Sequence, residues 1–323
     1  MKPLAPPLLI VNPHSLRNRL ASQKHAAQIV QLLARNGIAA DLCDAPDLHQ
    51  VRRRIRAAVY GECPLVIAAG GDGTIEAVAP ALVRTPTALG IIPLGTYNNL
   101  AACLGIPTDL ESACELLATG VDIPIDVGEV RVHGDRRVHL FLEQASIGLA
   151  PLLAPVGEGF QKGHWLEAIR ALPAAVRLEP VPMRVRLDGE LSAAETLLIT
   201  ICNAPRSAAA LVLAPAARMD DGQLDVCIYD GLHQADLASF LFDFMSGGVK
   251  EQPGVRRSLA AIIEVSSVTG QGLVVAADAE VIGQTPARFT IVPAALRVVT
   301  ARRRERPPPR AAFDYVARVK AAS

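Results

Sequence analysis

The chain is 323 residues long and half hydrophobic, with a mean hydropathy of +0.29 and only 4% aromatic residues. That length accommodates two domains with separate cores, and that apolarity excludes general disorder. Lys plus Arg equals Asp plus Glu at 32 each, so no global field draws the chain to nucleic acid or to an acidic membrane surface.

The N-terminal run Met1–Pro7 is short and broken by prolines, which argues against a secretory signal. No stretch approaches the ~20 uninterrupted apolar residues of a membrane span. The six cysteines, Cys43, Cys63, Cys103, Cys114, Cys202 and Cys227, are dispersed without a Cys-x-x-Cys pair. They read as buried thiols in a reducing compartment, not as a disulfide or zinc framework. The expected setting is soluble and cytoplasmic.

From Leu8 to about Ile125, short β-branched runs alternate with amphipathic stretches. Strand Leu8–Val11 precedes a helix over Ala21–Asn36 that stops at Gly37, then strand Ile38–Cys43 and a helix over Leu48–Val59. Strands Pro64–Ala69 and Ala88–Ile92 follow. This alternation predicts an α/β domain with a mostly parallel sheet covered on both faces, in which ligands bind at the carboxyl ends of the strands. After Asp126 the runs become strand-like with turns between them. They are Val127–Val132, Val138–Glu143, Met183–Leu187, Thr196–Cys202, Gln223–Tyr229, Ala261–Val268, Gly272–Ala277 and Phe289–Val292. That pattern predicts a C-terminal antiparallel β-sandwich domain over 126–300, interrupted by helices near 165–176 and 234–246. A basic, proline-rich tail with a final short helix occupies 301–323.

The third strand runs into Gly70-Gly71-Asp72-Gly73-Thr74, three glycines around one aspartate at the expected start of a helix. Glycines there would let the backbone pass through φ > 0 and bring amide N–H groups close to an anion. A carboxylate in a phosphate cradle would otherwise repel its ligand. Asp72 is therefore expected to hold a Mg²⁺ that accompanies nucleotide phosphates, or to orient an attacking hydroxyl.

Three separated segments, Leu8–Ser15, Gly70–Thr74 and Pro93–Asn99, together resemble the catalytic domain of diacylglycerol kinases and the related bacterial lipid kinases and sphingosine kinases. The resemblance continues through Val121–Gly128, Leu213–Val226 and Asp278-Ala279-Glu280, so it covers residues 8 to 300. It implies a nucleotide-binding domain over 1–125, a lipid-binding β-sandwich domain over 126–300, and ATP-dependent phosphorylation of a diacylglycerol-like hydroxyl presented at a membrane surface. It further implies that Asn12 and Ser15 sit at the mouth of the ATP site, that Gly70, Gly71, Asp72, Gly73 and Thr74 cradle the phosphates, and that Gly95 and Thr96 complete the pocket. Asp72 would lie closest to the γ-phosphate. A Mg²⁺ would be bound by Asp221 with the carbonyls of Arg218 and Gln223, and Glu280 would act as general base.

The chain departs from the family pattern at Leu16, Glu76, Asn99 and Ala279. Leu16 replaces a glycine, Glu76 stands where an asparagine is usual, Asn99 replaces an aspartate and Ala279 a glycine. Two alternatives therefore stay open beside the lipid kinase. One is a catalytically degenerate relative that binds nucleotide or lipid, and the other is a soluble kinase of the NAD kinase type. The sequence does not select an oligomeric state, a homodimer included, nor a means of peripheral attachment at the inner membrane surface.

Overall fold

The structure is a computed structural model, and it describes residues 5–11, 19–43, 47–149, 179–207, 211–230, 255–278 and 280–301. The expected helices near 165–176 and 234–246 and the tail lie outside these residues. The described residues fall into two compact units: one runs up to Ile125 and resumes at Ala294, and the other is Asp126–Pro293. Among the described residues, no helix is long and apolar enough to cross a membrane.

The chain opens with β1 (Leu8–Val11), α1 (Arg19–Arg35), β2 (Asp41–Leu42), α2 (Leu48–Tyr60), β3 (Leu65–Gly70) and α3 (Asp72–Val78). A 3-10 turn at Ala79–Ala81 leads to β4 (Ala88–Pro93), α4 (Asn99–Cys103), α5 (Leu110–Thr119) and β5 (Val121–Val132). Next come β6 (His139–Phe141), β7 (Gln144–Gly148), β8 (Val181–Leu187), β9 (Glu190–Cys202), β10 (Arg206–Ser207), β11 (Leu211–Val212) and β12 (Leu224–Asp230). The last strands are β13 (Val255–Ala260), β14 (Ile262–Ser267), β15 (Val274–Ala277), β16 (Glu280–Gln284) and β17 (Ala287–Thr300).

In the first unit β1 pairs in parallel with β2 and β3, and β3 with β4. Every residue of β3 and β4 is buried, as expected for strands covered on both faces. Helix α1 packs against α5, and α2 against α3 and β1. Leu9, Ile29, Leu33, Ile67, Ile92 and Leu117 form the centre of the core. Two helix starts are fixed by aspartate caps: Asp47 accepts the Gln50 amide (2.8 Å) and Asp109 the Ser112 amide (2.8 Å). The expected strand Ile38–Cys43 is reduced to the two exposed residues of β2, because only Asp41 and Leu42 reach the β1 ladder. Helices α4 and α5 follow β4, in a stretch for which the hydrophobic pattern predicts no element.

The second unit is antiparallel. Its 13-residue strand β9 pairs with β8 along its first half and with β7 and β12 along its second. Strand β14 joins β8 to the first part of β17. The expected sandwich over 126–300 needs one correction. From Ala294, β17 continues into the first unit, where Arg297 and Val298 pair in parallel with Ala88 and Leu89. Ala294, where the continuous strand passes from one unit to the other, sits at φ +53.

Gly128 and Phe141 face each other across β5 and β6, and the fully buried ring lies over the glycine. A Cβ on Gly128 would overlap that ring, which the surrounding core holds in place. Gly128→Ala is therefore expected to lower unfolding free energy by about 2–3 kcal/mol, measured by urea denaturation.

Candidate active site

The loops that leave β3 and β4 at their carboxyl ends meet at glycine. The Leu94 amide donates to the Gly70 carbonyl (2.9 Å), so the two loops begin in register. Beyond that, a Cβ on Gly95 would lie 2.5 Å from Gly71 Cα and 2.8 Å from Asn98 Oδ1, and a Cβ on Gly71 would lie 3.0 Å from Gly95 Cα. Asn98, in the left-handed region at φ +50, clamps the second loop. Its Oδ1 accepts the Gly95 amide and its Nδ2 donates to the Gly95 carbonyl, both at 2.9 Å.

The cradle differs from the expectation in how it uses glycine. None of Gly70, Gly71, Gly73 or Gly95 has positive φ, and Gly71 is at φ −91. Glycine is required at 71 and 95 by close approach of two backbones. At Gly70 the place of a Cβ is taken by Thr74, which is buried and folds back over it, so the Thr74 side chain supports the loop from inside. Gly73 and Thr96 are exposed, and nothing lies within 4 Å of a Cβ built on Gly73. The surface open to a ligand is thus backbone. Helix α3 is only seven residues long, and its Thr74 and Ile75 amides are taken by the Gly71 carbonyl. The amides of Asp72 and Gly73 precede that first helical bond.

Asp72 is half-buried at the first position of α3, with Oδ1 shielded from solvent and accepting no hydrogen bond. Burial raises its pKa above the ordinary carboxylate value. The amides of Leu100, Asn99 and Asn98 at the start of α4 pull in the opposite direction without reversing it. Asn99, the position where a carboxylate is usual, is buried in the same turn. A second carboxylate there would add repulsion to a charge already disfavoured by burial.

In the second unit, residues 218–223 form the turn before β12. The Arg218 guanidinium grips Asp220 (3.0 and 2.8 Å), and Gly222 at φ +72 donates its amide to Asp126 Oδ2 (2.7 Å). The Asp126 amide donates in turn to the Met219 carbonyl (2.7 Å), so this buried aspartate pins the turn at both ends. Asp221 Oδ1 accepts the Gln223 amide (3.2 Å), and Gln223 Oε1 is buried with no donor. Among the described residues no three His, Cys, Asp or Glu side chains group as metal ligands. A cation at this turn would therefore draw on carbonyls beside one carboxylate. That oxygen-only set, in a turn short of donors, fits a hard divalent ion.

Glu280 opens β16 and is exposed. The preceding Asp278, at φ +47, accepts three consecutive amides: Leu142 (2.8 Å), Glu143 (2.9 Å) and Gln144 (3.1 Å). The Glu143 carbonyl accepts the Asn203 and Ala204 amides, and Asn203 Nδ2 bridges the carbonyls of Leu142 (2.8 Å) and Asp126 (3.0 Å). A continuous hydrogen-bond chain therefore ties the Glu280 hairpin to the 218–223 turn. Asp278→Gly, which keeps the left-handed conformation but removes the acceptor, is expected to cost about 2–3 kcal/mol in urea unfolding, since it strips a charged partner from three amides. Asp278→Asn should restore part of this, because Oδ1 alone serves two of them and Asn tolerates positive φ.

Gly70, Gly71, Asp72, Gly73, Thr74, Gly95 and Thr96 thus come together in the first unit, and in the second the turn that carries Arg218, Asp221 and Gln223 is tied by hydrogen bonds to the hairpin that carries Glu280. Asn12, Ser15, Leu16 and Ala279 lie outside the described residues. Asn98, Asp126 and Asp278 fall inside segments that carry the family resemblance, but the sequence assigns no role to them or to Asn203. Only the αL-tolerant types of Asn98 and Asp278, each beside a turn, offered a sequence signal.

Residues 6–130 match the diacylglycerol kinase catalytic domain family, and residues 160–300 match the YegS C-terminal NAD kinase beta sandwich-like domain family. A diacylglycerol kinase of Bacillus subtilis (strain 168) is 32% identical over 247 residues, 72% of this chain and 75% of the relative. A probable lipid kinase YegS-like of Klebsiella pneumoniae (strain 342) is 29% identical over 287 residues, 87% of this chain and 93% of the relative. The crystal structure of a putative diacylglycerol kinase from Bacillus anthracis str. Sterne shares the fold, with a TM-score of 0.74 at 21% identity over 91% of this chain and 97% of that one. With the glycine-locked loops and the antiparallel second unit already in place, these matches show that the chain belongs to the diacylglycerol kinase family.

Proposed function

We propose that the chain transfers the γ-phosphate of ATP to the hydroxyl of a diacylglycerol-like lipid. The observation that carries this reading is the Gly71–Gly95 lock, which leaves backbone rather than side chains at the surface where a triphosphate would lie. Gly70–Thr74, Gly95 and Thr96, with Asn12 and Ser15, would surround the phosphates, and Asp72 would stand beside the γ-phosphate. Asp221 with the carbonyls of Arg218 and Gln223 would hold a Mg²⁺, which when bound adds positive charge and rigidity to that turn. In the reaction the lipid oxygen bonds to the γ-phosphorus as the bond to the β,γ-bridging oxygen breaks. The hydroxyl proton passes to Glu280, and ADP leaves. Positioning and charge stabilisation supply most of the acceleration in such transfers, and the base contributes ~10²–10⁴-fold.

Incubation with Mg-ATP and a panel of diacylglycerols should yield phosphatidic acid, with NAD untouched. No product above an Asp72→Ala control, combined with a nucleotide-dependent rise in Tm, would establish the degenerate binding protein instead. Phosphorylation of NAD would place the chain with the soluble kinases.

A further inference from the structure

We propose that the outward face of helix α2 is a docking surface for an anionic lipid bilayer. The helix, Leu48–Tyr60, carries four arginines and no acidic residue. At 3.6 residues per turn, His49, Arg52, Arg53, Arg56 and Tyr60 fall within about 100° of arc, while Val51, Ile55 and Ala58, all at least partly buried, lie away from it. Ile55 is fully buried and the three arginines of the arc are exposed, so the inward and outward faces are unambiguous.

The face is basic without neutralisation. Arg54, outside the arc, pairs with Asp41 (2.7 Å), and Asp47 is engaged by the Gln50 amide. Among the described residues Arg52, Arg53 and Arg56 form no ion pair. In a chain of zero net charge this is a local concentration of one sign. Exposed apolar groups accompany it on the same helix: Tyr60, at its last position, is 93% exposed, and Leu48, at its first, is 46% exposed. Arginines flanked by exposed aromatic and aliphatic side chains match a bilayer surface, where cations meet headgroups and Tyr and Leu enter the interface. Nucleic acid would use the arginines and leave Leu48 without a role. The choice of a bilayer rests on the lipid-kinase reading, but its test measures binding and so stands or falls separately from turnover.

The full chain should co-sediment with phosphatidylcholine vesicles in which about a third of the lipid is phosphatidylglycerol, and not with phosphatidylcholine alone, and added salt should release it. Replacing Arg52, Arg53 and Arg56 together by Ala should weaken that binding about a hundredfold, at roughly fivefold per arginine. Tyr60→Ala should weaken it further. Turnover of a short-chain, water-soluble diacylglycerol should be unchanged by either substitution. Equal sedimentation with neutral and anionic vesicles, or undiminished binding by the triple variant, would overturn the proposal. So would tighter binding to mixed-sequence RNA than to the vesicles. If the triple variant fails to fold, the salt response of the unaltered chain decides: binding that salt does not weaken overturns it.

Discussion

Gly95→Ala is expected to lower kcat/KM for phosphatidic acid formation by about a hundredfold, and to lower unfolding free energy by roughly 2–4 kcal/mol. The added methyl would lie 2.5 Å from the Gly71 backbone and 2.8 Å from Asn98 Oδ1. Neither neighbour is the free end of a flexible side chain. Gly71 is held between β3 and the first turn of α3, and Asn98 is held by its two hydrogen bonds to Gly95 itself. Relief requires the two loops to part, which moves the Gly71–Gly73 backbone away from the Gly95–Thr96 backbone. A displacement of about 1 Å at a phosphate site is enough for losses of this size. Denaturation and steady-state kinetics on the same preparation separate the two effects. A variant that unfolds earlier yet turns over normally when folded would show that loop spacing is not what the glycines protect.

Much of this arrangement can be read from the chain, and what cannot has a common cause. Strands β1, β3 and β4 are short apolar runs bounded by polar or turn residues, and the antiparallel character after Asp126 follows from the spacing of such runs. The aspartate caps of α2 and α5 are equally local. The glycine motif locates a loop but not why glycine is needed there. Positive φ and close approach leave the same signature in one segment, and only Gly95, 24 residues beyond Gly71, distinguishes them. The Asp126–Gly222 and Asp278–Leu142 bonds span 96 and 136 residues, so neither partner advertises the other. The return of β17 is hidden for a related reason. Its two halves pair with strands of different units, β14 and β4, and the positive φ at Ala294 falls on a residue type that rarely adopts it.

Asp72→Asn is expected to separate stability from activity: kcat should fall about a thousandfold, while Tm at neutral pH should rise on the order of 2 °C rather than fall. The rise follows from the direction of the Asp72 pKa. Burial raises it above its unfolded value more than the amides of Leu100, Asn99 and Asn98 lower it. Between the unfolded and folded values the native state binds the extra proton, so stability declines as pH climbs through that window, and above it the full deficit persists. A carboxamide has no such charge, retains one acceptor for the α4 amides, and escapes the deficit. The advantage of the variant should therefore shrink as pH is lowered into the ordinary carboxylate range, where wild-type Asp72 becomes neutral in both states. Thermal melts of both proteins at neutral and mildly acidic pH measure this directly. A lower Tm for the variant at neutral pH would mean that the amide bonds outweigh burial and that Asp72 serves mainly as a cap for α4. A higher Tm with lost turnover would identify a charge kept at a structural cost because the transferred phosphate needs it.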